Sequence, residues 1–135
     1  MAKENGLGWT TCAVDDAGGT ARNIRNDATN LQFATPRAVQ DVTGLDKSAI
    51  ERILNLTDFT GTLNGVFNDA SNQSHDVFKT VPSTSVVRTF TNTVSGQTLA
   101  CECVVTDYPL TRSPTGEFLW AVPFALADGA VPTWA

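Results

Sequence analysis

Basic side chains are scarce in this chain of 135 residues: nine Lys and Arg stand against 14 Asp and Glu, a formal net charge of −5. Nonspecific grip on nucleic acid comes from cations that neutralise phosphates, so a basic binding groove is not expected. Cysteine occurs three times, at Cys12, Cys101 and Cys103, an odd number that argues against a disulfide framework. Cys101 and Cys103 are two apart on an expected strand and point the same way. They read as small buried hydrophobes, and a lone C-x-C with one histidine offers too few ligands for a metal. The late apolar stretch 118–126, nine residues including a proline, falls far short of a bilayer span. The opening MAKENGLGW lacks the apolar core of a signal peptide, so synthesis and folding in a cytoplasm are expected.

Reaction chemistry is equally sparse. The sequence holds no G-x-S-x-G, Walker loop, H-E-x-x-H or calcium loop. Its single histidine, His75, lies between Ser74 and Asp76, but a triad needs side chains that converge in space rather than adjacency. His75 reads as a polar turn residue or a helix-cap partner. Asp15 and Asp16, just before Gly18 and Gly19, read as a solvated hairpin turn rather than a cation site. The expectation is a protein with no catalytic residues, no cofactor and no metal.

What the chain does have is pattern. Hydrophobic residues make up 41% and charged residues 17%, a globular balance, and the length suits a single domain over residues 1–135. The stretch 41–67, DVTGLDKSAIERILNLTDFTGTLNGVF, is the most informative. Asp46 is placed to cap a helix over residues 46–55, with Ile50, Ile53 and Leu54 recurring at i, i+3, i+4 and Lys47, Glu51 and Arg52 opposite. The period then changes to two. Phe59, Gly61, Leu63, Gly65 and Phe67 take one face of a strand, and Thr60, Thr62, Asn64 and Val66 the other. Gly61 and Gly65 mark either a close backbone approach or a bend in the sheet.

Elsewhere, residues 9–14 and 20–26 read as strands, and 31–40 as a loop or edge strand because Pro36 discourages a central one. A short second helix is expected over 72–79 with Val77 and Phe78 inward, stopped by Pro82. Residues 84–92 and 97–106 form a hairpin about Ser95-Gly96, with Leu99, Cys101, Cys103 and Val105 on the core face. The last strand, 117–126, carries Phe118, Trp120, Val122, Phe124 and Leu126 in strict alternation. The fold class is mostly β: an antiparallel β-sandwich or partly closed barrel of about six to eight strands, with one flanking helix and a short second one. Trp9 and Trp134, near the two ends, either pack in the core or serve as aromatic anchors between subunits.

The order VTGLDKSAIERILNLTDFTGTLNGVFND, then SHDVF, then a late strand closing on ALADGAVPTW, resembles the major tail tube proteins of long-tailed, siphovirus-type bacteriophages. The resemblance runs from about residue 18 onward. It implies a structural virion protein whose rings of six stack into a hollow tube. Viral DNA passes through that tube without specific binding, and an acidic wall would not hold it. The partners implied are further copies of itself and other tail proteins such as the tape measure and terminator. The location implied is the virion tail, assembled in the host cytoplasm. On that view the polar strand faces bearing Thr60, Thr62, Asn64 and Glu102 are candidates for the channel wall, and Trp9 and Trp134 for subunit contacts. Rival readings are a tail terminator, a head–tail connector ring, a contractile-system tube protein, or a small ligand-binding β-sandwich.

Overall fold

The computed structural model describes Lys3 and residues 5–135. The first half forms β1 (Trp9–Asp15), β2 (Ala21–Asn23), β3 (Ala28–Ala34), β4 (Arg37–Asp41), β5 (Arg52–Thr57) and β6 (Thr60–Val66). A short helix α1 (Ser74–Phe78) follows, then β7 (Arg88–Val94), β8 (Gln97–Val105), β9 (Leu110–Arg112), β10 (Phe118–Leu126) and β11 (Thr133–Trp134). Nine strands make one antiparallel sheet in the order β2-β1-β7-β8-β10-β6-β3, with β11 added to β8 and β9 to β10. The β7–β8 hairpin turns on Ser95 and Gly96, both at positive φ, the conformation that two-residue hairpin loops demand.

Alternation puts Cys12 and Val14, Leu63, Phe90, Leu99, Cys101, Cys103, Trp120, Val122 and Phe124 on one face, and all are buried. The sheet rolls over this face. Phe90 of β7 meets Phe124 of β10 at a ring distance of 4.5 Å, and Phe59 approaches Phe90 at 6.2 Å. At the open side Trp9 and Cys12 look across a cleft of about 160 Å³ at Leu31 and Leu63, so the sheet is partly closed but not a barrel. Phe118 is 38% exposed and Leu126 half-buried, because β10 outruns the core at both ends.

Pro123 lies mid-strand without breaking a ladder. Ala121 donates its N–H to Pro109 O, on the side away from β6, and two residues on the Pro123 nitrogen faces the same way. There β9 has ended and β8 pairing begins only at Phe124, so no bond is lost.

Helix α1 closes one end of the core with Val77 and Phe78, the latter 5.3 Å from Trp120. Its N-terminus is capped from a distance. Buried Asp27, before β3, accepts from the Ser74 N–H (3.0 Å) and from Asn68 Nδ2 (2.8 Å). Behind the helix, buried Arg88 donates to Asp15 O (2.7 Å), Val77 O (2.8 Å) and Thr80 Oγ1 (3.3 Å). Desolvation lowers the pKa of its guanidinium, with Asp16 and Asp15 opposing that shift. These two buried polar groups tie α1 to the sheet.

The helix expected over residues 46–55 does not form. Residues 52–57 are strand β5, paired antiparallel with β4 (Val39↔Leu54, Gln40↔Ile53, Asp41↔Arg52), and the segment between them is a loop. An isolated helix of three turns is marginal and needs its apolar stripe packed on something. Ile50, Ile53 and Leu54 find no such surface among the described residues and stay 51–60% exposed. A ladder supplies backbone hydrogen bonds without one. The capping chemistry is also displaced: Asp41, not Asp46, accepts from the N–H and hydroxyl of Thr43, whose Oγ1 in turn accepts from the Glu51 N–H. The ambiguous stretch 31–40 resolves into the end of β3 and all but the last residue of β4, with Pro36 in the break. The only α-helix among the described residues is the short one, narrower than its expected span of 72–79.

Candidate assembly surfaces

The outer face of the sheet is built by the same alternation that makes the core. On β6, Thr60, Thr62 and Asn64 point away from buried Leu63 and Gly65. Their cross-strand partners are Ala125, Pro123 and Ala121 on β10, and Ala34, Gln32 and Asn30 on β3. Ala125 also pairs with Val104 of β8, which sets the phase there and puts Glu102 on the same face. The sheet thus brings Thr60, Thr62, Asn64 and Glu102 onto one solvent side, with β10 between the threonines and the glutamate. Thr60 and Thr62 are exposed; Asn64 and Glu102 are half-buried, Glu102 accepting a hydrogen bond from the Thr89 hydroxyl. None of the outward residues in this β3–β6–β10–β8 register is Lys or Arg.

The two tryptophans stand differently. Trp9 is half-buried at the cleft rim, its Nε1 donating to Thr11 O at 2.8 Å. Trp134 is 51% exposed and leans on Phe33 at 6.0 Å. Neither belongs to the buried core.

A further surface is the arm formed by β4, β5 and the loop between them, which the sequence pattern presented as a loop or edge strand followed by a helix rather than as a hairpin. The arm pairs with no strand of the main sheet, and an Asp58 N–H to Pro36 O bond (2.9 Å) closes its base. Val39, Val42, Leu45, Ile50, Ile53, Leu54 and Leu56 are all exposed, seven of the fifteen exposed large hydrophobics among the described residues. Leu45 and Leu56, lying off the helical stripe, were the signal available beforehand. A lone two-stranded hairpin is marginal in water, and an apolar cluster of this kind marks a contact surface. The β3 edge opposite β6 is also unpaired among the described residues.

Several ionisable groups serve local structure. Asp16 has its pKa lowered first by the Thr20 N–H, with help from Arg22 at 3.1 Å and the Gly18 N–H. Asp76 is lowered by Lys79 and then by the Asn72 N–H. His75 Nδ1 lies 3.3 Å from the Tyr108 hydroxyl, whose pKa burial pushes up to about 12. No group of three or more His, Cys, Asp or Glu among the described residues could hold a metal ion, and no helix there is long and apolar enough to cross a membrane.

No protein-family model matches the sequence, and no curated protein matches it. The fold does have counterparts among solved structures. It is similar to a chain in the tail of an empty gene transfer agent particle refined helically with C6 symmetry: TM-score 0.79, 17% identity, 98% of this chain and 99% of that one. It is also similar to a chain in the virion of a native gene transfer agent particle, with TM-score 0.76, 16% identity, and 98% and 99% coverage. At such identities the likeness is one of fold.

Proposed function

We propose that this chain is a structural tail protein, one domain over residues 1–135, whose copies form rings of six that stack into the tube of a phage-like tail. One observation carries the reading: an arm with seven exposed large apolar side chains that no other described residue covers. Full burial of each is worth roughly 1.5–3 kcal/mol, enough in sum to offset the roughly 4–15 kcal/mol cost of association. The end-to-end fold likeness to chains of tail particles, one refined with C6 symmetry, supports it. So does the unpaired β3 edge, which ring closure would satisfy by pairing it with a neighbour.

The outer sheet face bearing Thr60, Thr62, Asn64 and Glu102 suits a channel wall. It offers DNA no cation to dwell on, and six copies would multiply the acidic charge. Trp9 and Trp134 serve at subunit contacts in this reading, and the tape measure and terminator are the other tail partners. Its place is the virion tail, after assembly in the host cytoplasm. Negative-stain imaging of the purified protein tests it. Long hollow cylinders with six-fold end views are expected; single rings that never elongate would favour a terminator or connector, and a protein solitary at every concentration would refute it.

A further inference from the structure

Strand β8 carries two free thiols side by side. Cys101 and Cys103 are two residues apart, so the pleat turns both toward the core, and their Sγ atoms lie 3.5 Å from each other. The strand itself blocks a bond between them. Alternate residues of an antiparallel strand stand roughly 6.8 Å apart, against a usual disulfide Cα separation of roughly 5.5–6 Å. Closing that difference would crumple a strand held by its neighbours: Cys103 pairs with Arg88 on one side and Leu126 on the other, and Cys101 pairs with Phe90. The pair is reachable at one point. β10 pairs with β8 only through Cys103–Val105, and β11 only through Leu99–Ala100. Between them residues 127–132 run outside the ladder, and a recess of about 160 Å³ opens there, lined by Cys101 with Thr89, Ala100, Glu102, Asp128 and Pro132. Cys101 keeps 8% of its surface, while Cys103 behind it has none.

We propose that Cys101 and Cys103 form a dithiol site that chelates a trivalent arsenical entering through this recess. Geometry selects the ligand. Two sulfurs too far apart along the backbone to bond each other, yet aimed together, can bridge one further atom. A pyramidal arsenic(III) centre, with S–As–S angles a little above a right angle, spans sulfurs at this separation. A linear soft ion such as copper(I) would need them apart by the sum of two metal–sulfur bonds, well beyond it. Tetrahedral zinc needs four ligands, and no group of three or more His, Cys, Asp or Glu exists among the described residues. The hydrogen bond from Cys103 lowers the Cys101 pKa, opposed by burial and by the charges of Asp128 and Glu102, so Cys101 supplies the attacking thiolate. The step balances without an oxidant: two S–As bonds form, two S–H bonds break, and the arsenical's oxygen leaves as water with both protons. Arsenic stays trivalent throughout, and its remaining substituent points into the recess.

The test adds phenylarsine oxide to the folded full chain and to its Cys12→Ala, Cys101→Ala and Cys103→Ala variants, each checked by circular dichroism. Intact-mass spectrometry is expected to show one phenylarsenic group per wild-type chain, retained against excess monothiol and removed by a 1,2-dithiol. Cys12→Ala should behave as wild type, because Cys12 lies on another strand and lines a different cleft. Losing either partner thiol removes the chelate advantage, roughly 10²–10⁴-fold, so C101A and C103A should both release the group to the monothiol. Cys101→Ser replaces C101A should that variant misfold, and the Cys101 position alone then decides. A wild-type chain that takes up the arsenical only in urea, a Cys101 variant that retains it, or its loss from C12A would each overturn the site.

Discussion

Replacing Gly65 with alanine probes the most crowded point of the sheet. Gly65 sits on β6 with its missing side chain aimed at the core. An added Cβ would overlap the six-membered ring of Trp120 and stand 2.6 Å from Asp27 O. Neither neighbour can yield cheaply. Trp120 is buried, packs at a tilt against Phe78 and donates its Nε1–H to Val66 O at 2.9 Å. Asp27 is the distant cap of α1, and its carbonyl accepts the Val66 N–H at 2.9 Å. Overpacking a filled core costs about 1–3 kcal/mol, and a strained or broken hydrogen bond adds about 1 kcal/mol. A total near 3 kcal/mol would lower the melting temperature of a domain this size by roughly 10 °C.

Gly61, four residues back on the same strand, is the internal control. Its added Cβ would meet Phe33 Cβ at 3.0 Å and Gln32 O at 3.1 Å, both on the edge strand β3, which has no neighbour on its far side to resist a small shift. Gly61→Ala is expected to cost about 1 kcal/mol, at the lower end of overpacking. Thermal melts by circular dichroism, run on both variants in conditions that keep the chain unassembled, decide the matter. Equal losses for the two, or a Gly65→Ala melt within two or so degrees of wild type, would refute this account of the core.

Arg88→Met keeps the bulk but strands Asp15 O and Val77 O without their buried donor; a loss of about 2–4 kcal/mol in urea unfolding is expected, and a neutral result would mean that α1 is held by apolar packing alone. Asp16 and Asp76 have depressed pKa values in the folded state, so their contribution is present above the unfolded carboxylate value near 4 and is lost as pH falls through the folded value. Stability should decline below about pH 4, and Asp16→Asn should flatten that decline; an unchanged acid limb would show that the turn is not what titrates. Burial pushes the Cys12 thiol up to about 12, so it should resist a thiol reagent at pH 8 until the protein unfolds, a contrast readable by absorbance. For the channel wall, Thr62→Lys should leave tube assembly intact while slowing DNA ejection from assembled particles, and unaltered ejection kinetics would move the wall to another face.

The elements most legible in the sequence were those whose period and burial agree within one chain. The alternation of β6, β8 and β10, the Ser95-Gly96 turn and the short helix around Val77 and Phe78 all stand where the pattern put them, because each buries its apolar set against this chain's own core. The phase of β6 also placed Thr60, Thr62 and Asn64 outward, which follows directly once Leu63 is buried. Residues 46–55 failed because their apolar residues meet no core among the described residues. A 3.6-residue stripe over so few residues is also compatible with part of a hairpin, and only the pairing of Val39 with Leu54 decided between them. Tertiary structure alone revealed that Asp27 caps a helix 47 residues away, that Arg88 is a buried strut, and that the β4–β5 arm pairs with no strand of the main sheet. Those are relations between distant segments, set by how the sheet rolls, and a periodicity read along the chain carries no information about what lies across it.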